Sequence, residues 1–181
     1  MKKWLLITIL ALFISPLYAN DIYVTQSGDD LDLDITQDGQ NNVAGTSQTA
    51  IGLTGDTMTF SISQVGNSNV VSTIINGDTY TGNINLTGSS NNVALLCSSG
   101  GAGNCETVSM SIDVTGSSAD IDVTIGNSAA ATNYVGTIDI TSTNDETFTL
   151  TANAANADAD IDITNNAQAV SYTHLTLPTK A

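Results

Sequence analysis

From residue 20 to residue 170 the chain has no lysine, arginine, histidine or tryptophan, and its two prolines stand outside that stretch, at 16 and 178. The missing cations exclude any side-chain salt bridge, so cohesion must come from apolar burial and hydrogen bonds. All 18 acidic residues fall in the same stretch, whose formal charge is therefore −18. Nucleic acid is excluded as a partner, because binding it rests on Lys and Arg neutralising phosphates. An anionic membrane surface is disfavoured for the same reason. Without His or Lys, the usual base that activates a Ser or Cys nucleophile is missing. Only carboxylate-pair chemistry of the glycoside-hydrolase kind survives, and no aromatic sugar platform accompanies the Asp residues. The expectation is a non-enzyme, with no catalytic residue to name.

The ends of the chain differ from the middle. Lys2 and Lys3 precede the apolar run "WLLITILALFI", which breaks at Ser15-Pro16 and reaches Ala19. A basic start, a short apolar middle and a small exit residue describe a secretory signal peptide over residues 1–19. The run is shorter than the roughly 18 apolar residues a spanning helix needs, so no membrane insertion is expected. At the other end "SYTHLTLPTKA" (171–181) holds the only His and the third Lys, and is read as a non-native tail. One repeat domain over 20–170 remains, destined for the cell surface or the extracellular space.

Hydrophobic residues make up 41% of the chain and recur regularly, which argues against disorder. The core candidates are Ile, Val, Leu and Ala, with Tyr23, Phe60, Tyr80, Tyr134 and Phe148 as the aromatics. Cys97 and Cys105 bracket "SSGGAGN". In an exported chain such a pair is expected to form a disulfide, here a staple on an inserted loop. Zinc would need more His or Cys ligands than the region owns.

An apolar–polar alternation ending in Thr or Ser recurs along the chain, as at Leu33-Asp34-Ile35-Thr36, Phe60-Ser61-Ile62-Ser63, Ile84-Asn85-Leu86-Thr87, Ile112-Asp113-Val114-Thr115, Ile138-Asp139-Ile140-Thr141 and Ile161-Asp162-Ile163-Thr164. Period two means half-buried strands. Short turn-formers such as "QDGQNN" and "QVGNSN" separate them, and "TAIGLTGDT" and "STIINGDTYTG" read as longer connectors. With Ile35, Ile62, Leu86, Val114, Ile140 and Ile163 as markers the steps are 27, 24, 28, 26 and 23 residues. The fold expected is all-β, a β-solenoid of about six strand–turn–strand–loop coils. An antiparallel β-sandwich is the alternative.

Gln37, Gly39, Asn42, Ala44 and Gln48 fit the spacing Gln-x-Gly-x-x-Asn-x-Ala-x-x-x-Gln. Gln64, Gly66, Asn69 and Val71 repeat most of it, and Gln26 with Gly28 begins it once more. Later copies keep the strands and lose the Gln, with Gly88, Asn92 and Ala94 in one and Gly116 in the next. The pattern resembles the curlin repeat of curli fibre subunits, clearly over about residues 22–75 and in degenerate form beyond. The resemblance implies a secreted subunit of amyloid fibres in a biofilm matrix, which associates with its own kind or with other curlin-like subunits and uses an outer-membrane export machinery. On that reading Gln26, Gln37, Asn42, Gln48, Gln64, Asn69 and Asn92 form coil-to-coil amide ladders, since an amide both donates and accepts. Gly28, Gly39, Gly66, Gly88 and Gly116 then allow the bends between strands.

Asp34, Asp113, Asp139 and Asp162 share one polar phase, and Thr36, Ser63, Thr87, Thr115, Thr141 and Thr164 share another. The Thr series supports a second function class, a monomeric solenoid adhesin or ice-binding protein. "DDLDLDITQDG" is rich in oxygen ligands that suit Ca²⁺, yet it matches neither an EF-hand loop nor the Gly-Gly-x-Gly-x-Asp nonapeptide. No cofactor is expected, and Ca²⁺ stays a secondary candidate.

Overall fold

The computed structural model describes residues 21–39, 41–46, 48–97, 105–126, 131–144, 146–165 and 175–176. Residues 1–19, read above as a signal peptide, lie outside these residues, as does the 171–181 segment apart from Leu175–Thr176. Fourteen strands follow one another without a helix among the described residues. They are β1 (Asp21–Ile22), β2 (Thr25–Ser27), β3 (Leu31–Asp38), β4 (Val43–Ala44), β5 (Ile51–Thr54), β6 (Met58–Val65) and β7 (Ser68–Asn76). There follow β8 (Thr79–Thr87), β9 (Ser90–Cys97), β10 (Thr107–Gly116), β11 (Ser118–Ile125), β12 (Ala131–Ser142), β13 (Glu146–Asn165) and β14 (Leu175–Thr176).

Every strand pairing is parallel. A front sheet runs β3–β6–β8–β10–β12 and ends on residues 154–165 of β13. A back sheet runs from β1 and β2 through β4 and β5, then β7, β9 and β11, to the first half of β13. The 20-residue β13 crosses the corner and belongs to both sheets. The chain is a β-solenoid, about five full turns from residue 31 to residue 152 with a half-coil at each end. The antiparallel sandwich is excluded, because its hairpin-connected neighbours would run in opposite directions.

The alternation explains the core. In β8 every second residue is buried, from Tyr80 to Leu86, while Thr79, Thr81, Asn83, Asn85 and Thr87 face water. Stacking then turns sequence repeats into rows. Ile35, Ile62, Ile84, Ile112, Ile138 and Ile161 lie directly above one another in the front sheet. In the back sheet Ala44, Val71, Val93, Ile121 and Phe148 form a second row. Interior members are excluded from water, whereas Leu31, Leu33, Ile22 and Val24 at one end and Ile161 and Ile163 at the other are half-buried. Removing an interior isoleucine side chain from such a row costs about 2–5 kcal/mol.

Tyr80 and Tyr134 supply the bulk that two glycines lack. Each phenol folds over the glycine two residues on, so a Cβ at Gly82 or Gly136 would fall 2.1 Å from the hydroxyl. Phe60, one coil before Gly82, stacks on the Tyr80 ring at 5.1 Å between centroids.

The register corrects the spacing in one place. Ile62 pairs with Ile84, and Leu86 pairs with Gln64, so the second step is 22 residues where the marker residues give 24. Two further assignments change. "TAIGLTGDT" contains β5, whose Ile51 and Leu53 are buried, and "STIINGDTYTG" supplies the end of β7 and the start of β8. The described residues 45–46 and 48–50 lie outside the strands, between β4 and β5.

Candidate functional site

The buried Gln and Asn side chains of the described residues gather at one corner, where front strands turn into back strands. Gln37 and Gln64 are adjacent in register and buried. Gln64 Nε2 donates to Gln37 Oε1. Each amide also crosses the turn, Gln37 Nε2 donating to the Val43 carbonyl at 3.0 Å and Gln64 Nε2 to the Val70 carbonyl at 3.3 Å. The row continues with Leu86, Val114, Ile140 and Ile163, so the Gln64 Oε1 has no hydrogen-bond partner.

A second row opens the back strands. Asn69 Nδ2 donates to Asn42 Oδ1 at 3.3 Å, and Asn91 Nδ2 donates to Asn69 Oδ1 at 2.9 Å. All three side chains are buried. The glycines belong to this ladder. A Cβ at Gly66 would lie 2.0 Å from Asn42 Oδ1, one at Gly88 1.9 Å from Asn69 Oδ1, and one at Gly116 1.8 Å from Asn91 Oδ1. The Gly-x-x-Asn spacing is thus a contact between coils. Each asparagine occupies the space that a side chain at the next coil's turn would fill. Gly28 is different. Its φ of 143° is a backbone requirement, and nothing approaches its missing Cβ. Gly39 starts its turn by donating to the Val65 carbonyl at 2.9 Å.

Three expected rungs lie elsewhere. Gln26 is exposed and faces Leu53 in register, because its coil carries back-sheet strand at that point. Gln48 is exposed between β4 and β5, where its backbone N–H donates to Thr46 Oγ1 at 3.3 Å. Asn92 points outward and donates to Asp120 Oδ2 at 3.2 Å; the buried rung is Asn91. The Gly-x-x-Asn spacing of Gly39–Asn42 and Gly66–Asn69 falls on Asn91 after Gly88, whereas the Asn-x-Ala spacing to Ala94 selects Asn92, and in a strand that one residue exchanges inside for outside.

Beyond Asn91 the row holds Ala119 and then Glu146. The amide ladder ends there, leaving Asn91 Oδ1, Asn42 Nδ2 and both Glu146 carboxylate oxygens without hydrogen-bond partners. Cys97 and Cys105 form a disulfide with Cα atoms 6.0 Å apart. It closes the loop between β9 and β10, whose residues 98–104 lie outside the described set.

The outward rows also shift with the register. Asp113, Asp139 and Asp162 stack, while Asp34 sits in the next row, above Ser61 and Asn83. Thr87, Thr115, Thr141 and Thr164 stack, but Thr36 and Ser63 lie over Asn85 in the Asp113 row. On the back sheet Ala50 lines a shallow depression of about 290 Å³ together with Ser72, Ile74, Ala94, Leu96 and Asp122. Among the described residues no three His, Cys, Asp or Glu side chains converge to hold a metal ion.

The remaining chemistry is at the ends. The outer edge of β3 and that of residues 154–165 have no paired strand among the described residues. At the back sheet's C-terminal edge, Leu175 and Thr176 pair with Ala152 and Asn153. Open edges present N–H and C=O groups that another strand can satisfy. No protein-family model, curated protein or solved structure matches the chain.

Proposed function

We propose that the protein is a secreted, non-enzymatic structural subunit that builds extracellular fibres by stacking its end coils, as its curlin-like repeats imply. The supporting observation is the pair of open front-sheet edges. Both run in the same direction, and both carry half-buried apolar rows that continue those of the interior. A second copy of the chain completes the burial of both.

The coil-to-coil bonds between Gln37 and Gln64, and along Asn42, Asn69 and Asn91, support the same reading, since stacked amides strengthen cross-β assemblies. Incubating the purified chain and examining it by electron microscopy with thioflavin fluorescence tests the proposal. Unbranched fibres that bind the dye are expected; a permanent monomer contradicts it.

One observation favours a second reading, a monomeric adhesin or ice-binding solenoid. Thr87, Thr115, Thr141 and Thr164 form an exposed, in-line row on the front sheet. Thermal hysteresis in a fibre-free sample would favour it.

A further inference from the structure

We infer that the two end strands of the front sheet act as an electrostatic latch, holding two copies of this chain apart until their carboxylates are screened or neutralised. The inference rests on the assembly reading above and concerns its control.

The acidic residues of the front sheet are not spread evenly. β3 carries Asp32, Asp34 and Asp38, and residues 154–165 carry Asp158, Asp160 and Asp162. Between them β6 and β8 carry none, and β10 and β12 carry one each, Asp113 and Asp139. The six aspartates of the end strands all face solvent. Had charge served only to keep the face soluble, the interior strands would offer it equally well.

Register shows what the ends would meet. Following the pairings through the stack, Asp32 and Asp158 belong to one row, and Asp34 and Asp160 to the next. When a second copy continues the rows, its Asp32 lands beside Asp158 of the first, and its Asp34 beside Asp160. The separation is one strand spacing, about 4.8 Å. Like charges directly opposite destabilise strand pairing. On β12 the neighbouring side chains are Val135, Thr137 and Asp139, and on β6 they are Thr59, Ser61 and Val65. Asp139 adds to the repulsion, and neither strand brings a cation.

The same rows place Ile35 beside Ile161 and Leu33 beside Ala159 at the joint, so the apolar seam fits where the charges conflict. Fit and repulsion at one contact make a joint that closes when charge is removed. Acidic edges are also a known protection against unwanted pairing.

The test measures fibre growth of the full chain in 10 mM and 1 M NaCl, by thioflavin kinetics and electron microscopy. The screening length falls from about 30 Å to about 3 Å between these salts, and the wild type is expected to grow about tenfold faster in the higher one. Asp158→Asn/Asp160→Asn should grow in 10 mM NaCl as the wild type does in 1 M. Asp120→Asn/Asp122→Asn removes equal charge from an interior back strand and should leave the salt dependence unchanged. Asp158→Lys/Asp160→Lys should grow fastest in 10 mM and slow down in 1 M. Adding Asp32→Lys/Asp34→Lys to that variant should restore the block.

Wild-type fibres that grow equally at both salts overturn the latch and leave the assembly reading standing, as does a control variant that matches the end variant. Failure of every variant to form fibres at either salt overturns both.

Discussion

Asn69 is the middle rung of a buried amide row, donating to Asn42 and accepting from Asn91. Truncating it leaves two buried amides short of a partner, and each unsatisfied group costs about 1–3 kcal/mol. Asn69→Ala should therefore lower unfolding stability by about 2–4 kcal/mol in urea, whereas Asn92→Ala should stay within about 0.5 kcal/mol. Equal losses would place the ladder on the wrong residue. The residue types of the ladder were legible, because Gln and Asn recur with glycine at fixed spacing. Asn91 was legible too, since Gly88-x-x-Asn91 keeps the spacing of Gly39-x-x-Asn42 and Gly66-x-x-Asn69, and Asn92 came from matching the asparagine to Ala94 instead of Val93. The role of glycine was half legible. Its position followed from the repeat, but its contact with the previous coil's Asn Oδ1 is visible only once the coils stack. The two core tyrosines give a pH signature. Burial pushes the Tyr134 phenol from 10.0 up to about 12, and that of Tyr80 well upward. In both cases the folded chain favours the neutral form, so this stability is fully present below the unfolded value. The Tyr134 share is lost as pH rises from about 10 through about 12, and the Tyr80 share is lost as pH rises well above 10. In an alkaline titration, the 295 nm absorbance of these phenolates should appear together with loss of the β-sheet circular dichroism signal. Ionisation of both in an intact fold would contradict their burial.

Strands were legible wherever apolar and polar residues alternate, since period two fixes which side chains share a face. Register was less so. Ile84 and Leu86 are both inward, so each satisfies the alternation as partner of Ile62, and only the coil geometry selects Ile84. The residues 152–160, "ANAANADAD", carry no strand signal because alanine and asparagine are poor strand formers. They extend because Ala152 pairs with Ile125 of β11 and residues from Ala154 onward pair along β12. β14 has the opposite character, two residues docked on the back sheet's last edge. In the stacking order, Leu175 follows Ala152 in the row that runs from Gln26 through Leu53, Ile75, Cys97 and Ile125. It therefore occupies the place that Gln26 of a following copy would take. A chain ending at residue 170 should show a shorter thioflavin lag than the full chain under the same salt. An unchanged or longer lag would mean that the joint does not use this edge.

Taken as a whole, the molecule is a stack held together without a single side-chain ion pair along residues 20–170. Its lateral order comes from aliphatic rows and its corner from amides, while its aspartates gather on the solvent face of the two front-sheet ends and Glu146 is a buried exception. Two-sheet coil stacking was half legible, because like residues recur at like phase about every 25 residues, which favours stacked coils, while the same strand pairs also suit a sandwich. Parallel pairing was not, because alternation is the same in either direction. A solenoid that adds end to end makes a fibre whose subunit advances by its own number of coils, unlike one in which flat chains each contribute a single layer. The direct measurement is the helical rise per subunit, from electron cryomicroscopy of the fibres together with their diffraction. Each copy adds six front-sheet layers, β3, β6, β8, β10, β12 and residues 154–165, so at about 4.8 Å per layer the rise should be about 29 Å, with a 4.8 Å reflection along the axis. A rise of one strand spacing, or strands lying along the fibre axis, would contradict it.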